Sequence, residues 1–343
     1  MKKMLNTLFV TTPDTYLSLD GENIVIKGEE RVLGRYPLHN LEAVCTFGYA
    51  GVSPALMGSC AERNIALTFM TRSGRFLARV IGESRGNVIL RKEQYRISDD
   101  ERRSALVARN MILGKVYNSK WILERATRDY ALRLDAGRMK QVSAGLTEIM
   151  NVVRYVEDLE ILRGLEGSAA AQYNSVFDEL ILQQKDDFYF RGRNKRPPLD
   201  NVNALLSFTY TLLAGDAAAA LETVGLDAYV GFLHRDRPGR VSLALDLMEE
   251  LRGVYADRFV LSLINKKVIT AKGFYRKENG AVIMEDDIRK SVLKAWQERK
   301  QEGIVHPYLG EKMSWGLVPY AQALLLARHI RGDLEEYPPF LWK

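Results

Sequence analysis

At 343 residues the chain exceeds one minimal domain and falls short of three, so two domains are expected, the larger with a substantial core. Apolar residues make up 47% and charged residues 27%, a balance that excludes a disordered or fibrous chain. The net charge of +6, from 49 basic against 43 acidic residues, permits a polyanionic partner without requiring one, so any nucleic-acid site has to be found in particular residues.

The start, Met1-Lys2-Lys3-Met4-Leu5, imitates a signal peptide, but Thr11-Thr12-Pro13-Asp14 ends its apolar run early and no small-residue cleavage site follows. No segment approaches the roughly 20 apolar residues of a bilayer span. Cys45 and Cys60 form no CxxC pair and sit among apolar neighbours, which predicts buried free thiols. A soluble, cytoplasmic protein with no membrane partner is expected.

Residues 1–85 alternate in short strand-like runs: Leu5 to Thr11, Tyr16 to Leu19, Asn23 to Lys27, Arg31 to Tyr36, Leu41 to Phe47, Ile65 to Met70 and Phe76 to Ile81. Asp20-Gly21 supplies a hairpin turn, and Ser53-Pro54 starts an inserted helix. A small N-terminal β-sandwich domain is expected over 1–85, then a linker helix over 86–97.

From there the period becomes 3.6. Ser98-Asp99-Asp100-Glu101 caps a long helix striped by Ala105, Ala108, Ile112, Val116 and Leu123. Further helices are expected near 140–158, 160–184, 200–224, 227–233, 242–267, 285–302 and 317–331. A hairpin, Val268 to Tyr275 with Ala281 to Glu285, turns at Asn279-Gly280. The fold class is α+β: the β-sandwich followed by a larger, mainly α-helical catalytic domain over 98–343.

Three positions could carry chemistry in that domain. Glu166 borders the apolar stripe Leu162, Leu165, Ala169, Val176 and Leu180, where a carboxylate is costly without a partner; it is either a peripheral ion pair or a ligand. His234 opens the loop Arg235-Asp236-Arg237-Pro238-Gly239-Arg240 and is either an exposed turn histidine or a metal ligand. Asp246 and Glu249 lie three apart on the helix striped by Leu243, Leu247, Leu251 and Val254, so they form either a solvated acidic face or a cation site. Two carboxylates with one imidazole suit Mg²⁺ or Mn²⁺ rather than zinc. No P-loop, dinucleotide fingerprint or nucleophilic serine pattern competes. Arg191-Gly192-Arg193-Asn194-Lys195-Arg196, ahead of Pro197-Pro198, is either a phosphate-gripping loop or a solubilising one.

Several of these segments occur in order as longer motifs: Leu165-Glu166-Gly167-Ser168-Ala169-Ala170, the run from Arg196 to Phe208, Gly231-Phe232-Leu233-His234 and the run from Ser242 to Glu250. Together they resemble the CRISPR spacer-integrating endonuclease family, and the ending from Ile330 to Phe340 resembles its subtype I-C branch. The resemblance implies a metal held by Glu166, His234 and Glu249, with Asp246 as the supporting neighbour of Glu249. It implies a CRISPR adaptation nuclease-integrase that inserts foreign DNA fragments as spacers at repeat ends. It further implies a homodimer, a small ferredoxin-like partner subunit bridging two dimers into a heterohexamer, and double-stranded and branched DNA as substrate. Phosphate contacts are expected from Arg191, Arg193, Lys195, Arg196, Arg235, Arg237 and Arg240, and His234 is open to a proton-shuttling role. A branched-DNA repair nuclease and a non-catalytic DNA-binding scaffold are the alternatives.

Overall fold

The computed structural model describes residues 7–29, 31–41, 43–48, 50–71, 76–80, 82 and 88–343. Expectations for Met1 to Asn6, for Ile81 and for the first two residues of the linker fall outside them. The fold is mixed α+β, with strands first and helices after.

The early strands are β1 (Thr7–Val10), β2 (Tyr16–Asp20), β3 (Asn23–Lys27), β4 (Val32–Pro37), β5 (Ala43–Phe47), β6 (Gly51–Val52), β7 (Ala66–Met70) and β8 (Phe76–Val80). They form two four-stranded sheets, ordered β1-β5-β7-β8 and β4-β3-β2-β6. In the first, β5 runs parallel to β1 and β7, and β8 closes antiparallel on β7. In the second, β2 and β3 pair antiparallel from Tyr16 opposite Lys27 to Asp20 opposite Asn23, across a turn where Gly21 adopts φ +57°. Alternation puts Leu17, Ile24, Ile26, Val44 and Leu67 into one shared core with Leu56 and Cys60 of helix α1 (Pro54–Glu62). Ser53 caps α1, its hydroxyl accepting from the Leu56 N–H, with Pro54 at the first position. Both cysteines are free and buried, and burial pushes the Cys60 thiol up to about 11.

The helices are α2 (Val88–Ser98), α3 (Glu101–Asp129), α4 (Ala136–Val153), α5 (Leu159–Ser175), α6 (Asn201–Thr223), α7 (Ser242–Leu251) and α8 (Arg258–Asn265). Asp100 caps α3 by accepting from the Arg103 N–H. The α3 stripe from Ala105 to Leu123 is buried, and α4, α5 and α7 pack around that helix. A π-helical stretch, Arg252–Asp257, joins α7 to α8. The hairpin strands β9 (Phe274–Arg276) and β10 (Val282–Met284) follow; then come α9 (Asp286–Gln301), the pair β11 (Gly303–Val305) and β12 (Lys312–Ser314), and α10 (Val318–Ile330).

The molecule divides into two compact units, residues 1–85 with 283–302, and residues 86–282 with 303–343. The grouping of α9 with the strands departs from the expected 98–343 domain, and helical periodicity alone could not have revealed it. Within that unit Val292, Leu293 and Trp296 are buried.

Four further expectations are corrected. Residues 227–233 form no helix: the Asp227 carboxylate turns back onto the Tyr229 N–H, and the N–H groups of Phe232, Leu233 and His234 go to a carboxylate instead of helical carbonyls. The helix expected to reach residue 184 ends at Ser175, then passes into a 3₁₀ turn, Phe177–Leu180. The strand expected from Val268 starts only at Phe274. Finally, α6 is long and apolar enough by length and composition to cross a membrane; 61% of its most apolar window is buried, with α7 and α10 packed on it.

Candidate active site

Glu166 sits near the middle of α5. Leu162, Ala169 and Tyr173 of that helix are buried, whereas the Glu166 side chain is 27% exposed at the edge of this face. Glu249 lies on α7, whose every residue except Leu245 is buried, and keeps only 3% of its side chain exposed. Between these carboxylates stands Lys115 of α3. Its Nζ is ion-paired to Glu166 Oε1 and lies 2.6 Å from Glu249 Oε2. The other Glu249 oxygen is 2.6 Å from Arg252, the first residue of the π stretch. Burial pushes the Glu249 carboxyl up, but Arg252 and Lys115 outweigh burial and hold it well below the usual carboxylate range. The group is therefore ionised at neutral pH.

His234 and Asp246 form the second half of the site. Asp246 is fully buried and accepts the backbone N–H groups of Phe232, Leu233 and His234 at 2.7, 2.9 and 3.0 Å. Its Oδ1 lies 2.6 Å from His234 Nδ1, which leaves Nε2 of the half-buried ring as the nitrogen available to other partners. Gly231 makes this wrap possible. A Cβ there would stand 2.8 Å from Ser242 Cβ and 2.9 Å from Asp246 Oδ2. Asp246 thus supports His234 rather than Glu249, which corrects the expected pairing; although three residues apart, the two α7 acids serve different partners.

His234 lies near enough to act electrostatically on Glu249, so the imidazole and the carboxylates share one neighbourhood. Among the described residues no three His, Cys, Asp or Glu side chains already converge as a metal cluster. The Lys115 ammonium itself stands between Glu166 and Glu249. The donor set nonetheless fits a hard divalent ion: two anionic oxygens gathered on one cation, and an imidazole whose far nitrogen is fixed by a carboxylate, the usual arrangement of a metal-binding histidine.

Behind the carboxylates lies a buried polar network that the sequence reading missed. The Tyr210 hydroxyl on α6 donates to Asp257 Oδ1 at 2.5 Å, and the Arg252 and Arg193 guanidiniums lie 4.8 and 5.2 Å from the Tyr210 ring centre. Burial raises the Asp257 carboxyl to about 6 against the pull of Tyr210 and Arg252. Arg193, expected on the phosphate-gripping surface, is instead turned inward, bonded to Asn203 Oδ1 at 2.6 Å and Ser207 Oγ at 3.0 Å. The rest of the basic loop is exposed at Arg191, Lys195 and Arg196. Burial first, then Arg252 and Arg193, lowers the Lys195 pKa, with Glu249 opposing, which sets Lys195 beside the acidic centre. Arg235 and Arg237 are exposed, Arg235 being paired with Glu160, and Arg240 bonds to Ser242 Oγ.

A family model described as CRISPR associated protein Cas1 matches residues 8–298. The chain is 51% identical over 347 residues to the CRISPR-associated endonuclease Cas1 2 of Rhodospirillum rubrum, covering 100% of both chains. Among solved structures it is similar to a casposase bound to integration product, with TM-score 0.83 and 22% identity over 98% of this chain and 93% of that one. It also matches a chain of a Cas6-RT-Cas1–Cas2 complex, with TM-score 0.82 and 22% identity over 100% of this chain and 36% of the other.

Proposed function

The chain belongs to the CRISPR-associated Cas1 family, and from that premise we propose that it is a divalent-metal-dependent DNA endonuclease and integrase of CRISPR adaptation. The observation that carries the reading is the gathering of Glu166 and Glu249 on a single cation beside a carboxylate-fixed His234. Glu166, Glu249 and His234 Nε2 would hold Mg²⁺ or Mn²⁺. When bound, that ion would supply Lewis acidity toward a phosphate oxygen and toward the charge on the entering and leaving oxygens.

In the proposed reaction the 3′-hydroxyl of a captured DNA fragment attacks a phosphate at the edge of a repeat. One P–O bond forms to the incoming oxygen, and the P–O bond to the 3′ oxygen of the flanking nucleotide breaks, which leaves the fragment joined to the repeat. The departing oxygen takes up a proton as the attacking hydroxyl gives one up, so the number of phosphodiesters is unchanged. Water in place of the hydroxyl gives cleavage. Asp246 holds the imidazole in one orientation throughout, and Arg252 keeps Glu249 anionic and fixed. Exposed Arg191, Lys195, Arg196, Arg235 and Arg237 supply charge for the phosphate backbone, with Arg240 at the end of the same loop. The likeness to a chain of a Cas6-RT-Cas1–Cas2 complex supports docking of a Cas2-type subunit, and a homodimer is proposed with it. Two strands joined at two places suit a symmetric assembly.

The test is incubation with Mn²⁺, a fragment with free 3′ ends and a plasmid carrying repeats, with and without the partner subunit. Joined product is expected, lost with EDTA and with Glu166→Ala. Cleavage without any joined product under all conditions would favour a repair nuclease. Full activity of Glu166→Ala would overturn the proposed centre.

A further inference from the structure

Lys115 is buried to 8% exposure on the hub helix α3, and its ammonium is shared by the two carboxylates assigned above to the metal. A lysine rarely enters a core unless paired, and here both partners come from other helices, α5 and α7. On α3 itself the neighbours are uncharged: Met111, Ile112 and Val116 are buried and apolar, and the buried Asn118 and Ser119 are neutral. The electrostatic requirement comes from the acids. Without a cation, Glu166 and Glu249 would face each other in a poorly solvated place, and Arg252 reaches only the far oxygen of Glu249.

The geometry points to Lys115 as a built-in counter-ion that competes with the divalent cation for the Glu166–Glu249 pair, holding the carboxylates together in the metal-free protein and yielding them when the ion enters. The inference rests on the proposed metal centre. Lys115 then sets an affinity threshold: the ion must displace an ammonium already ion-paired to both ligands, and the free protein keeps its site assembled. Removing the ammonium should tighten metal binding and at the same time weaken the metal-free fold. A lysine that merely supported the packing would weaken both.

The experiment is calorimetric titration of Mn²⁺ into the whole protein as wild type, Lys115→Met and Glu166→Ala, with thermal melts of each in EDTA and in saturating Mn²⁺. Methionine keeps the apolar stem and removes the charge. We expect Lys115→Met to bind Mn²⁺ at least tenfold more tightly than wild type. It should also melt lower than wild type in EDTA and gain more from Mn²⁺. Lys115→Arg, which keeps a cation, should bind no more tightly than wild type, and it serves if the methionine variant does not fold, since tighter binding by arginine would also contradict the inference. Equal or weaker Mn²⁺ binding by Lys115→Met, with Glu166→Ala abolishing binding, would overturn the competitor role and leave the metal centre standing. Unchanged Mn²⁺ binding in Glu166→Ala would overturn both.

Discussion

Asp246 is the keystone of the His234 loop: one carboxylate receives three consecutive backbone N–H groups and lies 2.6 Å from the imidazole Nδ1. This separates two kinds of damage. His234→Ala removes the ring but leaves the backbone bonds to Asp246, so nuclease activity should vanish while the melting temperature stays close to wild type. Asp246→Ala leaves buried donors without an acceptor, at about 1–3 kcal/mol each before relaxation. It should lose activity and also several degrees of melting temperature. Matching melts for the two variants would refute the arrangement.

Gly231 offers a steric test of the same loop. A methyl group there meets Ser242 and Asp246 at under 3 Å, and the nearest obstruction is a Cβ, which cannot swing away. Gly231→Ala should therefore displace the segment that carries His234. We expect at least a hundredfold loss of cleavage, with urea denaturation showing a cost on the order of 1–3 kcal/mol. Wild-type activity in this variant would show that the loop tolerates another path.

The basic loop should split by burial. Arg193 is bonded to Asn203 and Ser207 and packed near Tyr210, so Arg193→Ala should lower stability by about 2 kcal/mol. Arg196→Ala and Arg237→Ala, at exposed positions, should leave the melt unchanged and weaken binding to DNA of any sequence. Each should also reduce the slope of log affinity against log salt by about 1. Fluorescence anisotropy over a salt series reads this directly, and an unaltered slope would remove that residue from the interface.

The periodic parts of the fold were legible. Strand alternation, the Gly21 turn and the Asp100 cap all have short-range causes, and the β2–β3 hairpin and the start of α3 lie within a few residues of expectation. Glu166, His234 and Glu249 were legible as candidates, from their types and neighbouring motifs. Their connections were not, because Asp246 and Glu249 share a helix yet reach toward a loop on one side and another helix on the other. Lys115 left a signal that went unused: it follows Met111 by four residues, on the buried side of α3, where a lysine needs a partner. Arg252, Tyr210 and Asp257 left weaker ones, since their network depends on a π-helical turn that no spacing rule announces. The misplaced helix at 227–233 has the same origin, local propensity overridden by a distant carboxylate.

Glu250, next to Glu249 but facing the opposite way, gives a pH prediction. Its carboxylate receives the Tyr337 hydroxyl, Gln322 Nε2 at 2.9 Å and the Phe340 N–H at 2.7 Å, which fastens the C-terminal segment against α7. Burial outweighs these bonds and raises the group from 4.5 to about 7. The folded chain therefore holds a proton that the unfolded chain has released between those values, so Glu250 makes stability fall as pH rises from about 4.5 through 7. The full span is worth up to about 3 kcal/mol. Asp257, raised to about 6, adds the same sign, while His306, lowered by burial, opposes it below its ordinary range. Comparing wild type with Glu250→Gln cancels those shared contributions. Glutamine cannot titrate, but its amide presents donors to groups that also donate, so the variant should be less stable at every pH and show the shallower decline between about pH 4.5 and 7 in urea denaturation. Parallel pH profiles for the two proteins would mean that Glu250 stays ionised in the fold across this range, its three donors prevailing over burial.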